Sequence, residues 1–118
     1  MDCPTEIVIS GTESTVLEQL WLSRENGINL DLRIVHDEGV TYCHRLAIVM
    51  SSPILREEML GSHDILLPYL SLTEIQHFIY VIYGRPFTMS YTRLQRLRTI
   101  LARYRVPMPP YQIREVAG

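Results

Sequence analysis

The stretch NLDLRIVHDEGVTYCHRLAIVMSSPILREEML, residues 29–60, carries the fold reading. Leu32 and Ile34 stand two apart in an extended segment, Asp31–Val35, so they share one face of a strand. Val40, Tyr42 and His44 repeat that spacing in a second segment. Asp37-Glu38-Gly39 between them predicts a hairpin turn, longer than the tightest two-residue form. Leu46–Met50 then predicts a short apolar helix, broken at Ser51-Ser52-Pro53. Pro53 suits the first position of a further helix, with Ser52 as its cap. That helix presents Ile54, Leu55, Met59 and Leu60 and stops at Gly61. A hairpin running straight into two helices has one sheet face to bury, and the helices are its cover.

Upstream, Glu6–Ile9 predicts a short strand ending at Ser10-Gly11. Ser14 or Thr15 caps a helix, Thr15 with Glu18 in a capping-box spacing. Leu17, Leu20 and Trp21 form its apolar stripe, and Asn26-Gly27 ends it. Downstream, Asp64–Leu67 reads as a third strand closed by Pro68. Ser71 with Glu74 opens the clearest helix, whose buried stripe is Ile75, Phe78, Ile79 and Ile82; Gly84 and Pro86 end it. Thr88–Tyr91 reads as a connector. A last helix spans about 92–104, with Leu94, Leu97, Ile100, Leu101 and Tyr104 on one side. Pro107, Pro109 and Pro110 exclude regular helix beyond it. Gln112–Val116 reads as a strand, a helical turn or a frayed end. The expected architecture is mixed α/β (α+β), a small sheet covered by short helices, with strands in the first two thirds and helices in the last.

The 118 residues suit one domain. They are 47% apolar and 20% charged, with net charge −2, which speaks against nucleic-acid binding. The charge is unevenly placed. Residues 1–80 hold twelve acids and four arginines; residues 81–118 hold seven arginines and one acid, Glu115. That basic end can face an acidic partner, a phosphate backbone or the acidic part of its own fold. Cys3 and Cys43 make no zinc spacing, and two free thiols suit a reducing compartment. No secretory signal opens the chain and no run is long enough to cross a membrane.

No group of residues assembles into catalytic, metal or cofactor chemistry, so the expectation is a non-enzyme. His36, His44, His63 and His77 share no spacing. His44 is expected to be a buried capping and hydrogen-bonding residue, with Cys43 on the opposite strand face. Asp31 and Arg45 are either an ion pair tying strand ends or a charged patch for a partner. Trp21 is either core or interface.

Several ordered pieces resemble the BTB/POZ family, in the long form found at the front of zinc-finger transcription factors. They are Val16–Leu20 with Arg24-Glu25-Asn26-Gly27, Asp31–Val35, His44-Arg45, Ser52-Pro53-Ile54-Leu55, Leu67-Pro68 and Phe78–Gly84, covering about residues 5–107. The resemblance implies a homodimer, or a pair with a related domain, built by residues 5–24. Ile7, Val8 and Ile9 would be a strand exchanged between subunits, and Leu17, Leu20 and Trp21 a dimer helix. Asp31 and Arg45 would be the family's paired acid and base in a groove that takes a corepressor or chromatin protein. Residues 30–107 would be the core and 108–118 a proline-led tail. The implied setting is transcription repression in the nucleus, without direct DNA contact, membrane or cofactor. The alternative is a substrate adaptor for a cullin-type ubiquitin ligase. The apolar-x-acid signature such adaptors carry is missing after Leu60, which disfavours it.

Overall fold

The computed structural model describes residues 5–59 and 61–115. Cys3, Leu60 and Val116 lie outside them. The chain forms β1 (Thr5–Ile9), α1 (Thr15–Glu25), β2 (Leu32–His36), β3 (Gly39–Cys43), α2 (Arg45–Ser51), α3 (Pro53–Glu58), β4 (Asp64–Leu67) and α4 (Leu72–Ile82). It continues with β5 (Phe87–Ser90), a 3₁₀ turn (Tyr91–Arg93), α5 (Leu94–Arg103) and β6 (Tyr111–Glu115). The result is a mixed α/β domain with two three-stranded sheets, ordered β3-β2-β4 and β5-β1-β6.

The first sheet follows from the hairpin. β2 and β3 pair antiparallel with His36 opposite Gly39, so the loop is only Asp37 and Glu38. The expected longer turn is corrected. Gly39 makes the tightness tolerable, since its φ of +134° suits a residue without a side chain. The strand also sits one residue later than expected, and His44 lies beyond β3, at the N-cap of α2. β4 joins the other side of β2 in parallel, Ile34 opposite Ile65, after the chain crosses over through α2 and α3. Leu32, Ile34, Ile65 and Leu67 point inward and are buried.

The second sheet overturns the single-sheet expectation and the placing of strands in the first two thirds. β1 lies between β5 and β6, both antiparallel to it. Where Thr88–Tyr91 is expected as a connector, Phe87–Ser90 is a strand: Met89 is buried while Thr88 and Ser90 are exposed. That alternation is in the sequence but short and weakly apolar. Tyr111–Glu115 buries none of its side chains, so hydrophobic periodicity had nothing to report.

One hydrophobic core runs under both sheets. α4 is its axis, with Ile75, Phe78, Ile79 and Ile82 buried, each contributing about 1.5–3 kcal/mol by leaving water. Its capping box forms as the spacing predicts: the Glu74 amide donates to Ser71 Oγ at 3.2 Å and the Ser71 amide to the Glu74 carboxylate at 2.9 Å. Glu38, from the hairpin loop, accepts from the Leu72 amide, so the first sheet also caps this helix. Ser52, fully buried, accepts from the Leu55 amide and donates to the Tyr104 carbonyl at 2.7 Å. One hydroxyl thereby closes the start of α3 and the end of α5. α1 is capped by Ser14, not Thr15.

The molecule measures 51 × 31 × 24 Å with a radius of gyration of 14.7 Å. A compact chain of this length would give about 13.5 Å.

Candidate functional site

The residues expected to pair subunits fall into two groups. Ile7 and Ile9 face the core and are covered by their own chain; Val8, on the other face of β1, is half-buried. Leu17, Leu20 and Trp21 lie on α1, half-buried against the rest of the domain. Trp21 rests edge-on to Tyr83 and tilted against Tyr80, with ring centroids 5.6 and 5.7 Å away. The guanidinium groups of Arg24 and Arg85 lie over its ring at 5.7 and 5.6 Å. Gly84 lets α1 approach, since a Cβ there would sit 3.1 Å from both Leu17 Cδ1 and Thr12 Cβ.

Of the five α-helices among the described residues, α1 alone has no fully buried residue. It nevertheless carries Val16, Leu17, Leu20, Trp21 and Leu22, with Val16 53% exposed. Beside it, α2 exposes Leu46, Val49 and Met50, which at i, i+3 and i+4 form one stripe. Leu17 and Met50 line a common groove, closed on its far side by Val106 to Pro110. The α2 stripe was not singled out from sequence. Five apolar residues in a row, Leu46–Met50, do not say which side is buried. The structure puts Ala47 and Ile48 inward and leaves the others in water.

Asp31 and Arg45 come together, but not as charges facing each other. The Asp31 carboxylate accepts from the Arg45 backbone amide at 2.8 Å, capping α2 from outside the helix. The Arg45 guanidinium turns away and donates to the carbonyls of Met59 and Ser62, closing the end of α3. The ion pair, one of the two readings of these residues, is replaced by two backbone caps. The ion pairs among the described residues are Arg33–Asp64, Arg96–Glu74 and Arg114–Glu6. Arg33 grips Asp64 with two nitrogens, at 2.7 and 2.8 Å, and holds its carboxyl below the usual range. Two of the three join the acidic front to the basic end, so part of the charge asymmetry is absorbed within the fold. Arg103 also packs on the Tyr69 ring at 4.5 Å.

Behind α2 lies a closed polar network. The His44 amide donates to the Tyr83 hydroxyl at 2.8 Å, and His44 Nδ1 meets the same hydroxyl at 2.7 Å. His44 Nε2 meets the Ile28 carbonyl at 2.8 Å. A carbonyl only accepts, so Nε2 carries the proton in the neutral ring and Nδ1 accepts from Tyr83. Burial pushes the Tyr83 phenol up to about 12. His44 is thus buried and hydrogen-bonded as expected, and it occupies the N-cap of α2 without a side-chain bond to that helix. Burial likewise pushes the Cys43 thiol up to about 12, which keeps it protonated and unreactive. Among the described residues no three His, Cys, Asp or Glu side chains gather as a metal would need, and no helix is long and apolar enough to cross a membrane.

No protein-family model matches the sequence, and no curated protein matches it.

Proposed function

We propose that this chain is a protein-interaction domain of the BTB/POZ kind that pairs with a second copy or a related domain, within a transcriptional or chromatin regulator in the nucleus. The observation that carries the reading is α1: a whole helix, rich in apolar residues, that buries none of them fully in its own chain. The exposed α2 stripe and the groove beside Leu17 and Met50 extend the same surface. A second copy laid over α1 and α2 would remove that apolar area from water. Assembly is the mechanism: pairing doubles the binding modules and raises effective concentration at a shared target. In this reading Asp31 and Arg45 remain the acid and base that the resemblance assigns to partner binding, with capping as their structural task.

Light scattering over a dilution series tests it. The expected mass is twice the 13.7 kDa of the chain. Val16→Glu and Met50→Glu, both at exposed positions, should leave the fold intact and yield monomer. A wild-type monomer at every concentration up to the millimolar range would defeat self-pairing. Removing residues 1–25 is not a usable test, because Ile7 and Ile9 belong to the core.

A further inference from the structure

We propose that β6 is exchanged between two copies of this chain, so that Tyr111–Glu115 of one copy pairs with β1 of the other. The proposal rests on the subunit-pairing reading and names the segment that crosses. β6 is joined to β1 through five register pairs, from Thr5 opposite Glu115 to Ile9 opposite Tyr111, yet none of its side chains is buried. Ile113 shows the mismatch best. It pairs with Ile7, so both side chains lie on the core-facing side of the sheet, but Ile7 is fully buried and Ile113 is 57% exposed. The strand is held by its backbone ladder, by Arg114 on Glu6 and, at its first residue, by Tyr111, which is half-buried against the core and accepts from Arg98; the side chains from Gln112 to Glu115 anchor it to nothing buried.

The connection favours departure. Between α5 and β6 the chain has no regular structure and contains Pro107, Pro109 and Pro110, which favour an extended run over a turn. It leaves α5 through Arg105, at φ +54°, with the Val106 amide donating back to the Leu101 carbonyl at 2.9 Å. That left-handed position normally takes glycine, and an arginine there is strained. Straightening at Arg105 releases the strain and carries β6 outward, with Val106 and Met108 moving from their own core to the same places in the partner. A strained hinge next to an identical acceptor is the usual setting for exchange. A second copy is the occupant, because its β6 repeats every register pair and places Arg114 on the partner's Glu6.

Disulfide trapping decides it, in a Cys3→Ser background. Val8 and Gln112 are opposite each other in the ladder, as are Val8 and Thr88 on β5. Val8→Cys is mixed with Gln112→Cys, or with Thr88→Cys, refolded together and oxidised. Exchange of β6 predicts covalent dimers in the first mixture and none in the second. Equal trapping in both would mean that β1 crosses instead, which overturns the proposal. No trapping in either, with a dimeric mass in scattering, overturns it and leaves subunit pairing standing. A monomeric mass overturns both. Arg105→Gly, which relieves the hinge in both copies, should weaken the dimer about thirty-fold. An unchanged dissociation constant would remove hinge strain as a driving force.

Discussion

Replacing Tyr83 with Phe should be among the most damaging single-atom changes available to this fold. The hydroxyl takes the His44 amide at 2.8 Å and meets Nδ1 at 2.7 Å, and Tyr83 and His44 are 1% and 5% exposed. The ring stays, so apolar burial is unchanged. What is lost is the sole partner of a buried amide and of a buried ring nitrogen, since Nε2 is committed to Ile28. A buried polar group left without a partner costs about 1–3 kcal/mol, so the two together cost about 2–4 kcal/mol after some relaxation. The space left by one hydroxyl is too small for a replacing water. Urea unfolding at fixed protein concentration, followed by Trp21 fluorescence, is the natural assay, because Trp21 packs on Tyr83 itself. With a slope of about 1.5 kcal/mol/M, the midpoint should fall by roughly 1.3–2.7 M at unchanged slope. The melting temperature should fall by about 8–16 °C. Wild type should also lose stability between pH 10 and 12. The folded phenol is held at about 12 against an ordinary value of 10, so its contribution is complete below 10 and lost as pH rises through 12. The variant should lack that component. A midpoint shift under 0.3 M would refute the closed-network account.

Asp31→Ala should cost about 0.5–2 kcal/mol by uncapping α2, while Asp31→Asn retains an acceptor and most of the stability; equal losses in urea titrations would rule out capping. His77 is held below its ordinary value, by burial first and then by Arg93, so its neutral form favours the fold. That contribution is complete above pH 6.5 and is lost as pH falls from 6.5 toward the lowered folded value. His77→Phe, which preserves stacking on Phe87, should flatten the pH–stability curve there, and an unchanged slope would exclude His77 as its source. Gly11→Ala should destabilise by about 1–3 kcal/mol, because its Cβ would lie 2.8 Å from Pro86 Cδ and 2.9 Å from the Gly84 carbonyl; an unshifted melting temperature would mean that the turn yields freely. In a Cys3→Ser background, Cys43, buried and with its thiol near 12, should react with Ellman's reagent at pH 8 only as fast as the protein opens; labelling at the rate of a free thiol would contradict its burial.

Local chemistry was legible in the chain. Ser71 with Glu74, Ser52 before Pro53, and the stripe Ile75, Phe78, Ile79 and Ile82 all sit where spacing puts them, because caps and helical periodicity involve neighbours within one or two turns. The β2–β3 hairpin was legible for the same reason, to within one residue of register. Asp31 and Arg45 were brought together as expected, but which atoms meet was not readable. The choice between guanidinium and backbone amide depends on where α3 ends, and that end offers Arg45 two carbonyls. The second sheet lay further out of reach. β1 gains its neighbours from segments some eighty and more than one hundred residues away, and backbone ladders leave no mark on side-chain pattern when a strand such as β6 buries none of its residues. The exposed stripe on α2 was hidden in the opposite way. Every residue from Leu46 to Met50 is apolar, and only the packing of Ala47 and Ile48 inward tells which side is left for a partner.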